Sequence, residues 1–134
     1  MHDINMLSKT DILIIGSGIA GLSSALKLAD NFKVTIVTKR EAMEANTRYA
    51  QGGIASVTSE TDNFESHIKD TLVAGAGLCH DDIVLKIVKD GPRLIDQLVA
   101  WGVEFSKRDD KSFDLGKEGG HSKRRVLHAG DITG

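Results

Sequence analysis

The stretch Asp11-Ile12-Leu13-Ile14-Ile15-Gly16-Ser17-Gly18-Ile19-Ala20-Gly21 decides the fold. Its first five residues form a short apolar run of the kind that fills a parallel strand buried on both faces, and Gly16 ends it. From Ile19 the apolar positions change to helical spacing, with Leu22, Ala25, Leu26 and Ala29 on one face and a stop at Asn31. Lys33 to Thr38, KVTIVT, is β-branched and reads as a second strand. Strand, tight turn, helix and strand in this order predict a parallel βαβ unit, because such crossovers are right-handed and place the two strands side by side. The fold class is therefore α/β, a Rossmann-like domain with a parallel sheet.

The turn carries the first functional signal. Gly16 to Gly21 fits G-x-G-x-x-G between a strand and a helix, which is the context that gives this motif meaning. The first glycine permits the tight turn, the second lets backbone approach a pyrophosphate, and the third lets helix and strand pack closely. The helix N-terminus adds free N–H donors and the positive end of a dipole. Gly16, Ser17, Gly18, Ile19, Ala20 and Gly21 are accordingly the expected dinucleotide contacts. An acidic residue for a ribose 2′-OH is expected at the end of the second strand, but the sequence there is Thr38-Lys39-Arg40. Either Thr38 accepts the ribose proton or the Lys39 cation serves an adjacent phosphate.

Working outward, Arg40 to Gly53 has no apolar periodicity and reads as a long functional loop ending in Gly52-Gly53. Asp62 and Glu65 resemble a capping box for a helix through Phe64, Ile68 and Leu72 to Ala74, with Gly75 and Gly77 as its stop. A second helix is predicted from Asp81 or Asp82 to a break at Gly91-Pro92, and a third from Pro92 to Gly102. Val103–Phe105 reads as a strand and Trp101 as a core anchor. His128 precedes Ala129 in strand-like sequence and reads as a packed histidine. His67 and His80 are expected on the surface. His121, Ser122, Arg124, Arg125 and His128 receive no role, with Arg125 facing either a substrate carboxylate or Asp131.

Composition narrows the classes. The chain of 134 residues is one ordinary domain in length, and a net charge of −2 gives no general field for nucleic acid or an anionic membrane. The basic excess is local, since Lys107 to His128 holds seven basic and four acidic residues. One cysteine, Cys79, excludes an internal disulfide framework and fits a reducing compartment. No metal site is expected, because His80, Asp81 and Asp82 beside it cannot all point at one ion. No apolar run reaches the roughly 20 residues of a membrane span, and Met1–Thr10 lacks a secretory pattern, so a cytoplasmic location is expected.

Four segments taken together go further: GSGIAGLSSAL from Gly16, VTK ending at Lys39, the loop Asn46-Thr47-Arg48-Tyr49-Ala50-Gln51-Gly52-Gly53, and Glu118 to Gly134. In this order they resemble the succinate dehydrogenase and fumarate reductase flavoprotein family from Thr10 to Gly134. The resemblance implies FAD, with Lys39 and Asn46, Thr47, Arg48, Tyr49, Ala50, Gln51, Gly52 and Gly53 joining the glycine turn as cofactor contacts, and a Thr-Lys pair in place of the ribose acid. It also implies an N-terminal piece of the FAD-binding domain, with capping and C-terminal helical domains and all catalytic residues after Gly134, and hence an inactive isolated chain.

Two positions bear on the branch. Respiratory members carry a His that bonds covalently to flavin where this chain has Asn46; an amide nitrogen is no nucleophile at neutral pH, so FAD is expected to be non-covalent. Succinate-oxidising members carry an aromatic residue at the position of Glu118, where a carboxylate favours an α-ammonium. The branch so implied oxidises L-aspartate to iminoaspartate with oxygen or fumarate as acceptor, quinolinate synthase being the next enzyme toward NAD. A soluble fumarate reductase or succinate dehydrogenase flavoprotein and a non-catalytic nucleotide-binding module are the alternatives.

Overall fold

The computed structural model describes residues 9–41, 44, 46–130 and 133, so the segment before Lys9 and Asp131, which the sequence offered as a partner for Arg125, lie outside the described residues. The chain divides into two compact units at the junction of Tyr49 and Ala50.

In the first unit β1 (Ile12–Ile15) and β2 (Val34–Val37) pair in parallel, with Ile12 opposite Val34 and Ile15 opposite Val37. Helix α1 (Ile19–Leu28) crosses between them, as the apolar spacing predicts. Asp11 staples the start of the pair: its N–H donates to the Lys33 carbonyl at 3.0 Å, and its carboxylate accepts from the Lys33 N–H at 2.8 Å. The glycine turn needs its glycines for separate reasons. Gly16 has φ +108°, a region that side chains disfavour. A Cβ on Gly21 would run into the Gly16 carbonyl oxygen and lie 3.2 Å from Ile14 Cγ2, so only glycine lets α1 seat this close to β1. The expectation that β1 is buried on both faces fails. Leu13 is 56 % and Ile15 84 % exposed, since a two-stranded sheet with one crossover helix covers only one face.

The second unit combines two helices with a small antiparallel sheet that the sequence reading did not foresee. Its order is β3 (Ile54–Ala55), β5 (Val126–Leu127), β4 (Leu115–Gly116). Strands of two residues leave no periodicity to read. Leu115 and Leu127 from this sheet meet Ile95 and Phe105 in the core, with Ile54, Leu98, Val103 and Phe113 packed around them. The Phe105 and Phe113 rings meet edge to face at 6.0 Å. Phe105 is buried, but Val103–Phe105 is not a strand; the next residue, Ser106, donates its N–H to the His128 carbonyl at 2.8 Å.

Helix α2 (Phe64–Ala74) has the predicted length but a different cap. Asn63 Oδ1 accepts from the Ser66 N–H at 2.8 Å, while Asp62 is committed to Arg125. The predicted break at Gly91-Pro92 is absent, and α3 (Asp81–Ala100) runs straight through it. A proline inside a helix costs about 3 kcal/mol, and the buried stripe Val84, Val88 and Ile95 offsets that by keeping both halves on one packed face. Gly91 sits where a Cβ would lie 2.9 Å from Ser56 Oγ, so here glycine marks close packing rather than a stop. Trp101 is 38 % exposed rather than a buried anchor, and His67, expected on the surface, is buried. Among the described residues no helix is long and apolar enough to cross a membrane.

Candidate functional site

The first unit gathers most of the expected cofactor residues around the N-terminus of α1. Gly18 caps that helix in an extended conformation with no side-chain cap bond, and the first turn holds no acidic residue. The space beside it is open, since a Cβ on Gly18 would find nothing nearer than Thr47 Oγ1 at 3.9 Å. Thr47 arrives there on a 3-10 turn, Asn46–Tyr49, inside what the sequence left as a loop, and its hydroxyl accepts from the Ile19 N–H at 3.3 Å. The turn and the end of β2 enclose a cleft of about 440 Å³ lined by Gly16, Ser17, Thr38, Lys39, Arg40, Glu44 and Tyr49.

The chemistry of this lining suits a phosphate-bearing ligand. Lys39 and Arg40 supply positive charge, Ser17, Thr38 and Tyr49 supply hydroxyls, and the α1 N-terminus, where Thr47 takes up only the Ile19 N–H, supplies the dipole and further backbone donors. The Thr38 hydroxyl donates to the Arg40 carbonyl, which leaves its oxygen free to accept. Thr38 and Lys39 thus both face the cleft, and the two explanations of the missing acid are compatible. Tyr49 donates to Glu44 Oε1 at 2.6 Å, and that hydrogen bond, with the Glu44 charge, raises the phenol above its ordinary value of 10.0. Glu44 also lies 3.9 Å from Arg40. Arg48 and Asn46 belong to the same turn, and Ala20 lies within α1.

Ala50, Gln51, Gly52, Gly53 and Glu118 belong to the second unit. There Gly53 fits tightly against β5, a Cβ on it colliding with the Leu127 carbonyl and with Val126. Thr133, in the late segment but without an assigned role, clamps the glycine loop: its hydroxyl donates to the Gly52 carbonyl at 2.8 Å and its N–H to the Ala50 carbonyl at 3.1 Å. Glu118 comes to the same place. A Cβ on Gly52 would lie 3.7 Å from Glu118 Oε1, and the exposed carboxylate has no hydrogen-bond partner among the described residues.

Glu118 starts a tight turn in which the His121 N–H donates to the Glu118 carbonyl at 3.2 Å and Gly120 takes φ +84°. Beyond the turn, Arg125 is fully buried and is not available to a substrate. It makes a two-pronged pair with Asp62, both contacts 2.8 Å, and reaches Asp70 Oδ2 at 2.7 Å. The Asp70 carboxyl is held down from 3.8 to about 2, first by the Ser122 backbone N–H and then by the Ser122 hydroxyl and Arg125. His67 and His121 meet ring to ring at 5.8 Å; burial, then the Arg125 charge, lowers the His67 imidazole below its ordinary value. His128 lies just past β5, 3.8 Å from Asp114, and Arg124 donates to the Leu115 carbonyl at 3.3 Å. His80 is exposed at the N-terminus of α3.

Residues 11–134 match the FAD binding domain family. Among curated proteins the chain is 48 % identical over 124 residues to L-aspartate oxidase 2-a of Nicotiana tabacum, spanning 92 % of this chain and 19 % of that protein. It is 45 % identical over 134 residues to the L-aspartate oxidase of Acinetobacter baylyi, spanning 100 % of this chain and 25 % of that protein. It thus covers a fifth to a quarter of the length of these relatives. Among solved structures, Escherichia coli quinol fumarate reductase superposes with a TM-score of 0.86 at 36 % identity over 92 % of this chain and 22 % of that one. Mycobacterium smegmatis Sdh1 follows with a TM-score of 0.84 at 28 % identity, over the same 92 % of this chain and 22 % of that one.

Proposed function

We propose, from the premise that this chain belongs to the FAD binding domain family and takes FAD as its cofactor, that it is the N-terminal part of an L-aspartate oxidase. In this reading the remaining domains and the catalytic residues follow Gly134, the substrate is L-aspartate, and the product iminoaspartate passes to quinolinate synthase.

FAD, when bound, supplies the two-electron acceptor for the hydride leaving the substrate Cα, with oxygen or fumarate as the final acceptor. The chain's own residues hold and select. The turn from Gly16 to Gly21 leaves backbone donors, with open space at Gly16 and Gly18 for the pyrophosphate, and Lys39 adds charge beside them. The loop Asn46 to Gly53 completes the cofactor contacts in this reading. Asn46 offers no nucleophile, and the Tyr49 phenol, with its proton held by Glu44, is a poor one, so the flavin stays non-covalent.

One observation carries the choice of substrate: the exposed Glu118 carboxylate beside Gly52, which has no hydrogen-bond partner among the described residues. A carboxylate there attracts the α-ammonium of aspartate and repels a dicarboxylate that lacks one. The Glu118→Gln variant of the full-length protein keeps the shape and removes the charge, and the expected loss in kcat/KM for aspartate is about thirtyfold, equivalent to about 2 kcal/mol. Inhibition by succinate is expected to hold or strengthen. Equal impairment with both ligands would reject the ammonium contact. The second reading, a fumarate reductase or succinate dehydrogenase flavoprotein, draws support from the similarity to E. coli quinol fumarate reductase, and the same substrate comparison decides it.

A further inference from the structure

We infer that Asp70, acting through Ser122, is the positioning residue that fixes the Glu118 carboxylate; the inference rests on the reading of Glu118 as the ammonium contact. The segment from Lys117 to Gly120 is exposed and has no apolar side chain to anchor it. Glu118 itself accepts no hydrogen bond among the described residues, so its place is set by the backbone that carries it. That backbone is the turn closed by His121, and the next residue is Ser122.

Ser122 is tied down twice by one oxygen. Its N–H and its hydroxyl both lie 2.7 Å from Asp70 Oδ2, and the hydroxyl is also 2.9 Å from Ser66 Oγ. Ser66 and Asp70 stand four residues apart in α2 and so share one face of that helix. Asp70 Oδ2 accepts a third hydrogen bond from Arg125 Nη1 at 2.7 Å, which ties the same oxygen to a buried guanidinium. Arg125 is held in turn by Asp62 and by Ser66 Oγ at 3.1 Å. The turn also rests on α2, where a Cβ on Gly120 would lie 3.8 Å from Ala74 Cβ.

The arrangement is stiffer than its location requires for stability alone. A buried ion pair contributes little net stability over an apolar replacement of the same shape, whereas it imposes one geometry. Here the geometry imposed is that of an exposed four-residue turn that begins at Glu118, with its anchor at Ser122 four positions on. A displacement of about 1 Å at such a group is enough to cost on the order of a hundredfold in rate.

The test uses the full-length holoenzyme with Asp70→Asn and the milder Ser122→Ala. Amide hydrogen exchange at residues 117–123 is expected to rise about tenfold or more in both variants while Val84 to Ile95 in α3 exchange as before. Aspartate kcat/KM is expected to fall about tenfold with succinate inhibition unchanged, and adding Asp70→Asn to Glu118→Gln should cost less than about twofold more, because both act on one contact. Unchanged exchange at 117–123, or losses that multiply in the double variant, would overturn the inference and leave Asp70 a residue of the fold. If Glu118→Gln alone spares aspartate, the substrate reading falls and the specificity role of Asp70 with it, while the exchange data still decide whether Asp70 holds the turn.

Discussion

Gly18 and Gly21 sit three residues apart in one motif, and the structure predicts opposite consequences for the same added methyl group. At Gly18 the backbone is extended, φ −71° and ψ 174°, and a Cβ meets nothing within 3.9 Å. Alanine is a poorer N-cap than glycine by a few tenths to about 1 kcal/mol, but it removes about 0.4 to 1 kcal/mol of unfolded-state entropy. The two cancel, so Gly18→Ala is expected to leave thermal stability within about 0.5 kcal/mol. At Gly21, inside α1, alanine gains about 1 kcal/mol of helix propensity. Its Cβ, however, collides with the Gly16 carbonyl oxygen, a backbone atom that moves only if α1 and β1 part. A collision with a backbone atom lies toward the upper end of the about 1 to 3 kcal/mol that overpacking costs, so Gly21→Ala is expected to destabilise by about 1 to 2 kcal/mol net. The open side of Gly18 is the expected seat of the pyrophosphate, and a methyl group there should weaken FAD at least tenfold, about 1.4 kcal/mol. Thermal melts of the FAD-free protein and titration by flavin fluorescence separate the two effects. Wild-type FAD affinity in Gly18→Ala would refute the phosphate assignment, and an unperturbed melt in Gly21→Ala would refute the packing argument.

Three further outcomes are expected. Acid or heat precipitation of the full-length protein should release all flavin into the supernatant, because Asn46 cannot form a histidyl link; flavin in the pellet would contradict this. Asp62→Ala leaves the buried Arg125 guanidinium with one carboxylate instead of two, and chemical denaturation should show a loss of about 3 to 5 kcal/mol. Asp70 has a depressed folded-state pKa, so its stabilisation is complete above the unfolded value of 3.8 and disappears as pH falls through about 2. The stability gap between wild type and Asp70→Asn, followed by urea midpoints, should therefore be constant above about pH 4 and close toward pH 2, and a gap that persists at pH 2 would reject the assignment.

What the sequence made legible and what it hid divide along the range of the interactions. The βαβ unit is local: DILII, the glycine turn, the α1 stripe and KVTIVT each contain their own periodicity or turn chemistry, and the parallel register follows from the crossover. The glycine turn was legible for the same reason, since three glycines and a helix start lie within six residues. The second unit depends on contacts across long separations. Arg125 finds its partners 63 and 55 residues upstream, and nothing in the run Lys123-Arg124-Arg125 distinguishes the buried guanidinium from its neighbours. The misassigned cap has the same root. Asp62 and Asn63 are both good N-caps by type, and the choice between them was made by Arg125, which claims the Asp62 carboxylate and leaves Asn63 to the Ser66 N–H. Likewise Pro92 breaks a helix only where nothing holds the halves together, and the burial of Val88 before it and Ile95 after it is a tertiary fact. Glu118 stands at the meeting of the two kinds. Its residue type and family position marked it in the sequence, but its approach to Gly52 depends on β5 bridging β3 and β4 and on Ser122 reaching α2. A local motif can therefore mark a candidate residue, while the buried charges that hold the turn beside it come into view only once the chain is folded.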